Sequence, residues 1–324
     1  MKKLLAIAAG GDSDEAEISF LSAQTIFDNI DRNRFEPIMV NMRLGKWEAE
    51  YNGKEYPIDK NDFSFTTKDK KFTFDYVYIS IHGTPGEDGK LQAYFDLLQL
   101  PYSSTNHIGA TLTFNKWYCN TLLQQLGYKV AKSVYIKKND PYNNKDIIDK
   151  LGLPCFVKPC SAGSSYGVSK VSKADELDAA IKMAFEYDYE IMIESVLIGR
   201  EITCGVYRKK GELIALPITE IIPKGAFFDY AAKYQGDSQE ITPADISDAA
   251  RKKTQRIAKE IYDKFNLRGI NRLDFMLVGE EPFIIELNAV PGMSKNSLVP
   301  QQVAAANISL KDFFNDIIEE SFLN

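Results

Sequence analysis

The sequence is poor in cysteine and histidine, and this scarcity excludes several kinds of site. Its four cysteines form no CxxC pair, and only His82 and His107 accompany them among 324 residues, so a structural zinc site is not expected. Reduced thiols in a reducing compartment are the default for such cysteines. Long apolar runs are also missing, since no stretch approaches the ~18 residues that a membrane-spanning helix needs. We therefore expect no membrane partner.

The sequence also lacks an excess of basic residues. The formal net charge is −6 at pH 7 and no basic stripe offsets it, so a nucleic-acid partner is not expected. A small anionic substrate remains compatible with this charge, because it needs only a local cationic pocket. No GxGxxG fingerprint follows the first predicted strand, which argues against a dinucleotide-binding domain. The loop 161-SAGSSYG-167 is likewise not a Walker motif.

The composition is that of a soluble globular protein. The chain is 44% hydrophobic and 26% charged, and its length allows two or three domains with a sizeable core. Residues 1–100 alternate predicted strands and helices, which indicates a largely parallel α/β layer. A boundary is expected within residues 101–115. The N-terminus shares features with a signal peptide, but it is better interpreted as a buried strand, Lys3–Ala8, which favours a cytoplasmic protein.

The most informative stretch is residues 271–288, which have the pattern of a β-hairpin. Two apolar-rich runs flank Gly279–Glu281, and a three-residue loop there places Asp274 directly opposite Glu286. The apolar face, which we expect to be buried, holds Leu273, Phe275, Leu277, Phe283, Ile285 and Leu287. The polar face holds Arg272, Asp274, Glu286 and Asn288 at its open end. Such a face suits magnesium and an anion, but a solvated sheet face with an ordinary salt bridge explains it equally well.

Two lysines and a glycine-serine loop follow the expected boundary. Lys116 opens a predicted helix, and Lys158 ends an apolar strand just before the loop of residues 160–167. Such a loop offers amides and hydroxyls to phosphates while the lysines offer charge; a mobile turn beside an end-of-strand lysine explains the loop at least as well. Glu194 and Glu201 lie at the ends of neighbouring strands, where they either accept hydrogen bonds from an adenine or ribose or are simply solvated.

Residues 223–241 show no convincing periodicity. A connection of that length inside a compact domain is usually a functional lid or disordered. We expect a lid that is mobile without ATP and becomes ordered with it. A helix is predicted directly afterwards, with Thr242 as its N-cap and Pro243 at its first position.

Seven motifs in the chain, taken together and in order, resemble those of the D-alanine–D-alanine ligases, members of the ATP-grasp superfamily. They are Gly10-Gly11 with Glu15, Glu17 and Ser19; HGxxGEDG as His82–Gly89; VKP then GSSxG as Val157–Gly167; the Ile193-Glu194 pair with Glu201; FxDYxAKY as Phe227–Tyr234; RxD as Arg272–Asp274; and ExN with PGM and SLVP as Glu286–Pro300. Each motif alone is weak, but seven in the family's order are highly specific.

The resemblance implies a fold and a reaction. The fold is an ATP-grasp α/β fold with an N-terminal parallel α/β domain (residues 1–115), a small central α+β domain (116–200) and a larger C-terminal α+β domain (201–324). The reaction is ATP-dependent ligation of two D-alanine molecules through an acyl phosphate, for peptidoglycan precursor synthesis. The implied partners are ATP, D-alanine and two ions of Mg²⁺ or Mn²⁺, and the family expectation is a homodimer.

The resemblance also implies a set of site residues. The hydrogen-bonded set around the first substrate's ammonium is Glu15, Ser164 and Tyr234. The stabilisers of the tetrahedral intermediate are Arg272 and the backbone amide of Gly292. The second substrate contacts His82, Ser297 and Leu298. The ATP contacts are Lys116, Lys158, Ser165, Glu194, Glu201 and Lys233. The metal ligands are Asp274, Glu286 and Asn288, in agreement with the magnesium interpretation of the hairpin.

Two other interpretations remain. A ligase of the same superfamily can use D-lactate or D-serine as its second substrate; Tyr234 beside Lys233 favours the amine of D-alanine, since the D-lactate enzymes typically have a histidine in that region. A non-catalytic nucleotide-binding protein on this fold would lack at least one residue of the hairpin's polar face, and all four are present.

Overall fold

The computed structural model describes residues 2–163, 166–223 and 238–322. Its first sheet contains β1 (Lys3–Gly10), β2 (Phe35–Arg43), β3 (Lys46–Tyr51), β4 (Lys54–Asp59), β5 (Ser64–Thr66), β6 (Lys71–Thr73) and β7 (Tyr76–Ile79). The strand order is β6-β5-β4-β3-β2-β1-β7, with β1 parallel to β2 and β7 and the other neighbours antiparallel. The predicted parallel layer is confirmed around β1, and an antiparallel meander extends it.

The second sheet is small and antiparallel. Its strands are β8 (Ser133–Lys137), β9 (Cys155–Pro159), β10 (Ser169–Val171) and β11 (Glu190–Ser195), in the order β10-β9-β11-β8. Lys158 pairs with Met192, and Glu194 pairs with Phe156, between β9 and β11. Because side chains alternate along a strand, Lys158 and Glu194 project from the same face of this sheet.

The third sheet carries the predicted hairpin. Its strands are β12 (Arg200–Lys209), β13 (Glu212–Ala215), β14 (Thr219–Pro223), β15 (Ser238–Ile241), β16 (Asn271–Val278) and β17 (Glu281–Asn288). The order is β15-β14-β12-β16-β17, and β13 pairs with β12. The two ends of the predicted lid are therefore strand residues, in β14 and β15. Residues 224–237, with Lys233 and Tyr234, lie outside the described residues, as do Ser164 and Ser165.

The register of the β16–β17 hairpin is as predicted at its open end, but its loop is shorter. Asp274 pairs with Glu286, whereas the loop contains only Gly279 and Glu280. A β-bulge after Asp274 supplies the extra residue and restores the register. It also shifts the buried face: Ile284 is buried, while Ile285 lines a cavity. The expectation that Phe283 and Ile285 belong to the buried face was wrong, because Phe283 pairs with Met276 on the other face and is only partly buried.

Nine helices flank the sheets within the described ranges: α1 (Ala16–Asn29), α2 (Lys90–Leu97), α3 (His107–Phe114), α4 (Lys116–Gln125), α5 (Asn144–Leu151), α6 (Leu177–Ala184), α7 (Asp248–Lys264), α8 (Leu298–Ala305) and α9 (Leu310–Ser321). Helix α7 begins later than predicted. Ser247 caps it by accepting a hydrogen bond from the Ala250 amide, whereas the Thr242 hydroxyl bonds that of Thr219 at 2.7 Å. No helix in these ranges is long and apolar enough to cross a bilayer.

A shared hydrophobic core joins the first and third sheets. Leu5 and Tyr78 of the first sheet are buried in one cluster with Tyr207 of β12 and with Phe313 and Phe314 of α9. The Tyr78 and Phe314 rings meet edge to face, with centroids 5.6 Å apart. Helix α9 thus packs between the two sheets and fixes one against the other. The division at residues 115 and 200 stays a prediction.

Candidate active site

A cavity of about 480 Å³ is lined by residues of the second and third sheets, of α1 with its N-cap, and of the loop that follows β7 of the first sheet. Of the residues singled out from the sequence, the cavity brings together Glu15, His82, Lys116, Lys158, Glu194, Glu201, Arg272, Asp274, Glu286, Asn288, Gly292, Ser297 and Leu298. Every candidate within the described ranges is in this set. Their convergence from distant parts of the chain is what a composite active site requires, although their individual roles stay predictions.

The open end of the hairpin forms the most polar wall. Asp274 is 5% exposed and neighbours both Arg272 and Asn288 on one sheet face. The Arg272 guanidinium donates two hydrogen bonds to its carboxylate, at 2.9 and 2.8 Å, and the Asn288 amide donates a third at 3.1 Å. The hydroxyl of Thr203, on the adjacent strand β12, donates a fourth at 2.5 Å. This carboxylate is therefore held in one orientation.

The same wall fits a hard divalent cation. Asp274 and Glu286 supply carboxylate oxygens, and Asn288, whose nitrogen faces Asp274, offers its amide oxygen. Oxygen donors of this kind suit Mg²⁺, which completes its shell with water and phosphate oxygens. Within the described ranges, no group of three histidine, cysteine, aspartate or glutamate side chains forms a complete metal cage.

The opposite wall is cationic and belongs to the second sheet. Lys158 and Glu194 form an ion pair on neighbouring strands, with side chains only 9% and 13% exposed. Lys116, the first residue of α4, donates from Nζ to the Ala162 carbonyl at 2.6 Å. Lys116 therefore lies against the glycine-serine loop, as phosphate binding requires.

That loop also approaches the N-terminal wall. Glu15 is the N-cap residue of α1, where the helix dipole favours a negative charge. A Cβ atom on Gly163 would lie 2.6 Å from Glu15 Oε2, so glycine lets the loop approach this carboxylate closely. Glu15 and the start of the loop that continues to Ser164 are therefore adjacent.

The floor of the cavity is built by His82 and Glu87. His82 Nδ1 lies 2.9 Å from the Val290 carbonyl oxygen, and burial lowers the pKa of the imidazole. Glu87 accepts hydrogen bonds from the amides of Gly83 and Val290, at 2.8 and 3.2 Å. Burial, reinforced by the charge of Glu15, raises the pKa of Glu87 to about 8. Both side chains thus contact the segment that follows β17.

The segment after β17 ends at the N-terminus of α8. Ser297 is the N-cap residue of α8, Leu298 is its first residue, and the Ser297 and Ser294 hydroxyls are 2.7 Å apart. A Cβ atom on Gly292 would lie 2.8 Å from Ser297 Oγ, so glycine permits the backbone to pass close to this serine. Amide and hydroxyl donors therefore meet beside the metal-ligand candidates.

Two residues of the site, Glu87 and Thr203, were not identified from the sequence. Glu87 lies inside the HGTPGEDG motif, yet its contact with Val290 joins residues far apart in the chain. Thr203 is two residues from Glu201 on β12, so the two share a sheet face, and a polar alternation in an otherwise apolar strand is a usable signal. The contacts of Glu87 with Val290 and of Thr203 with Asp274 become apparent only from the fold.

Comparison with known proteins agrees with the geometry. The sequence model of the D-ala D-ala ligase N-terminus matches residues 4–105, and that of the D-ala D-ala ligase C-terminus matches residues 122–319. A D-alanine–D-alanine ligase of Phocaeicola vulgatus is 45% identical over 324 residues, covering 99% of this chain and 100% of its own. One of Flavobacterium johnsoniae is 47% identical over 320 residues, covering 98% of this chain and 99% of its own.

Solved structures give the same result. The VanG D-Ala:D-Ser ligase of Enterococcus faecalis has a TM-score of 0.89 at 31% identity, covering 99% of this chain and 100% of that one. The D-alanine–D-alanine ligase of Bacillus anthracis complexed with ATP has a TM-score of 0.79 at 26% identity, covering 99% and 97%. The fold is therefore the ATP-grasp fold of these ligases, and membership implies the use of ATP and a divalent metal ion. The chain belongs to the D-alanine–D-alanine ligase family, whose members join two D-alanine molecules with ATP for peptidoglycan precursor synthesis, and it is an ATP-dependent ligase.

Proposed function

We propose that the 480 Å³ cavity is the site where this chain phosphorylates one D-alanine and couples it to a second. The observation that carries the proposal is the meeting of a cationic wall, Lys116 and Lys158, with an oxygen-rich wall, Asp274 and Glu286. A nucleoside triphosphate needs the first for its phosphates and the second for its divalent ions. An ordinary surface ion pair would not explain why both walls line one cavity.

The ATP end lies along the second sheet. Lys116 and Lys158, together with Lys233, contact the phosphates, and Ser165 of the loop donates to them. Glu194 and Glu201 accept hydrogen bonds from the adenosine. The ion pair between Lys158 and Glu194 supports this arrangement, because it fixes both side chains on one sheet face before ATP arrives.

Asp274, Glu286 and Asn288 would hold the divalent ions, two of Mg²⁺ or Mn²⁺. Bound there, the ions supply positive charge to the phosphate oxygens during phosphoryl transfer. The chain's own contribution is to keep the ligands in place. Arg272 and Thr203 do so for Asp274 through the short hydrogen bonds described above.

The substrates lie between α1 and the segment after β17. Glu15, with Ser164 and Tyr234, binds the ammonium of the first D-alanine, and its position at a helix N-terminus beside Gly163 supports this role. His82, Ser297 and Leu298 surround the second D-alanine. These residues orient its amine towards the activated carboxyl carbon, which lowers the entropic part of the barrier.

The reaction then follows in two steps. A carboxylate oxygen of the first D-alanine attacks the γ-phosphorus, ADP leaves, and an acyl phosphate forms. The ammonium of the second D-alanine first loses a proton to solvent, and its neutral amine adds to the acyl carbon. The C–O bond then breaks, and phosphate leaves with that oxygen and with a second proton from the amine. Arg272 and the Gly292 amide donate hydrogen bonds to the oxyanion of the tetrahedral intermediate, where such donors are most effective.

D-Serine is the alternative second substrate. The similarity to the VanG D-Ala:D-Ser ligase supports D-serine as this alternative. The D-alanine–D-alanine ligases, however, are more similar to this chain in sequence. Release of phosphate should be measured, and the ligation products separated and identified, with D-alanine alone and with D-alanine plus D-serine or D-lactate. We expect dipeptide of D-alanine to be the main product in every mixture. A predominance of mixed product with D-serine or D-lactate would reassign the second substrate.

The proposal also includes the oligomeric state of the chain and its location in the cell. We infer a homodimer, as expected of this family, and a cytoplasmic enzyme, because ATP is available there and the four thiols are all buried and unpaired. Three domains, 1–115, 116–200 and 201–324, follow the same expectation. Light scattering on the purified chain should give twice the 36.6 kDa protomer mass, and the monomer mass would contradict the dimer.

A further inference from the structure

The segment between β17 and α8 follows the last strand of the third sheet in the sequence, but it packs against the first sheet. Val290 is 5% exposed and its side chain lies in the hydrophobic cluster of the N-terminal sheet, with Ile81, Leu91 and Phe95. Met293 is buried in the cluster that joins the two sheets. Gly292, the proposed oxyanion donor, lies between these two apolar anchors.

Hydrogen bonds fix the backbone of the same segment. The Val290 amide donates to Glu87 Oε1 at 3.2 Å, and the Val290 carbonyl faces His82 Nδ1 at 2.9 Å. Glu87 Oε2 accepts from the Gly83 amide at 2.8 Å, which ties the carboxyl group to its own loop. Both polar backbone groups of Val290 are therefore held by residues 82–87.

A serine of α1 holds the other side of Gly292. The Met293 amide donates to Ser22 Oγ at 3.1 Å, and Ser22 Oγ lies 3.3 Å from His82 Nε2. A carbonyl oxygen only accepts, so His82 Nδ1 carries the proton and donates to Val290. Burial lowers the pKa of His82, so the ring is neutral and Nε2 accepts from the Ser22 hydroxyl. The Met293 amide, the Ser22 hydroxyl and His82 Nδ1 then each have an acceptor.

We infer that Glu87, His82 and Ser22 are positioning residues that place the Gly292 amide for the oxyanion. They act through the backbone of Val290 and Met293, on either side of that glycine. The inference rests on the proposed role of Gly292. His82, with one ring nitrogen directed to Val290 and the other to Ser22, serves the reaction through this segment.

The expected effect is on the chemical step. An oxyanion donor must lie about 2.7–3.1 Å from the developing charge, and loss of one donor typically lowers kcat about 10²–10³-fold. Displacing the donor by a fraction of an ångström should produce part of that decrease in kcat. ATP binds on the far wall, against Lys158 and Glu194, so its affinity should not change.

Glu87→Gln provides the test, because glutamine keeps the shape and one acceptor but cannot accept both amide hydrogens. We expect kcat to fall at least about tenfold, KM for ATP to change less than about twofold, and the amides of residues 290–293 to exchange faster with solvent. Asp88→Asn is the matched control. Asp88 bonds Thr84 and Lys90 rather than the segment after β17, so its variant should match wild type.

Two further variants keep the test decisive if Glu87→Gln does not fold. Ser22→Ala releases the Met293 amide from the opposite side and should have the same kinetic and exchange signature. His82→Asn keeps a donor near the position of Nδ1 and should retain more activity than His82→Ala. An unchanged kcat in both Glu87→Gln and Ser22→Ala, or a lower kcat with unchanged exchange at 290–293, would overturn the inference. A wild-type chain that fails to ligate D-alanine would instead contradict the proposed function.

Discussion

Asp274 and Glu286 are register partners across the β16–β17 hairpin, and their carboxyl groups project from the same sheet face. The Asp274 carboxylate accepts hydrogen bonds from Arg272, Asn288 and Thr203, so its position is fixed before any ligand binds. Arg272 offsets one negative charge of this pair, and both residues line the same cavity. The relationship between these two carboxylates is therefore the basis of the first prediction.

Glu286→Gln should lower ligation by at least about a hundredfold without altering the fold. The change is isosteric but removes a charged ligand, which should exceed the 10–100-fold loss typical of an outer-shell partner. The measurement is phosphate release across a magnesium titration. Glu281→Gln is the matched control, because Glu281 begins the same strand and pairs with Lys129 and Lys253, away from the cavity. Wild-type turnover of Glu286→Gln at limiting magnesium would exclude it as a ligand.

Lys158→Met should weaken ATP binding and also destabilise the protein. Glu194 would be left as an uncompensated, largely buried charge, which typically costs about 3–5 kcal/mol. Adding Glu194→Leu should recover stability but not ATP affinity. Urea unfolding and ATP titration separate the two effects. Lys145→Met is the control, since the Lys145–Asp149 pair is 80% and 60% exposed and should contribute under about 1 kcal/mol. Equal instability of the single and double variants would contradict the coupling.

Thr203→Val should weaken metal binding about 10–100-fold by removing the hydroxyl that orients Asp274. The magnesium concentration at half-maximal activity reports this change. Thr254→Val is the control, because the buried Thr254 hydroxyl has no hydrogen-bond partner in the part of the chain that the structure describes. That variant should be as stable as wild type or slightly more so. Identical magnesium dependence of Thr203→Val and wild type would remove Thr203 from the site.

Glu87 should make wild-type stability fall as the pH rises. Its folded-state pKa of about 8 exceeds the ordinary 4.5, because burial and the charge of Glu15 outweigh the opposing effects of the Gly83 and Val290 amides and of Arg272. The folded protein then keeps a proton that the unfolded chain releases, so this contribution is lost between about pH 4.5 and 8. Glutamine does not titrate. The melting temperature of Glu87→Gln, relative to wild type, should therefore rise from pH 5 to pH 8.

Glu176→Gln is the control for that pH series. Amide hydrogen bonds from Ser172 and Lys173 lower the pKa of Glu176, so it titrates below the window in both states. Its melting temperature relative to wild type should stay nearly constant from pH 5 to pH 8. If the difference for Glu87→Gln is equally constant, the carboxyl group is not held in its neutral form by the fold.

Local patterns predicted much of the fold and most of the site. The alternation of apolar residues identified the hairpin, and its open end had the predicted register despite a loop one residue shorter than expected. The bulge after Asp274 compensated for that loop, and nothing in the sequence distinguishes a long loop from a short loop with a bulge. The start of α7 was missed for a similar reason, since Thr242 bonds Thr219 on a distant strand and leaves the cap to Ser247.

Contacts between distant segments could not be predicted at all. Glu87 meets Val290, and Ser22 meets Met293, only because α9 packs the third sheet against the first. Their polar groups look solvated when each is considered in its own segment. Motif order implied which residues belong to the site, but the backbone anchoring of residues 289–293 depends on three-dimensional packing.

The central claim is that ligation proceeds through an acyl phosphate of the first D-alanine. D-Alanine labelled with oxygen-18 in both carboxyl positions should be incubated with the chain, magnesium and unlabelled ATP, and the products analysed by mass spectrometry. The account predicts one labelled oxygen in each molecule of inorganic phosphate, one phosphate and one ADP per D-alanyl-D-alanine, and no label in ADP. Unlabelled phosphate accompanying dipeptide, or AMP and pyrophosphate as products, would contradict it.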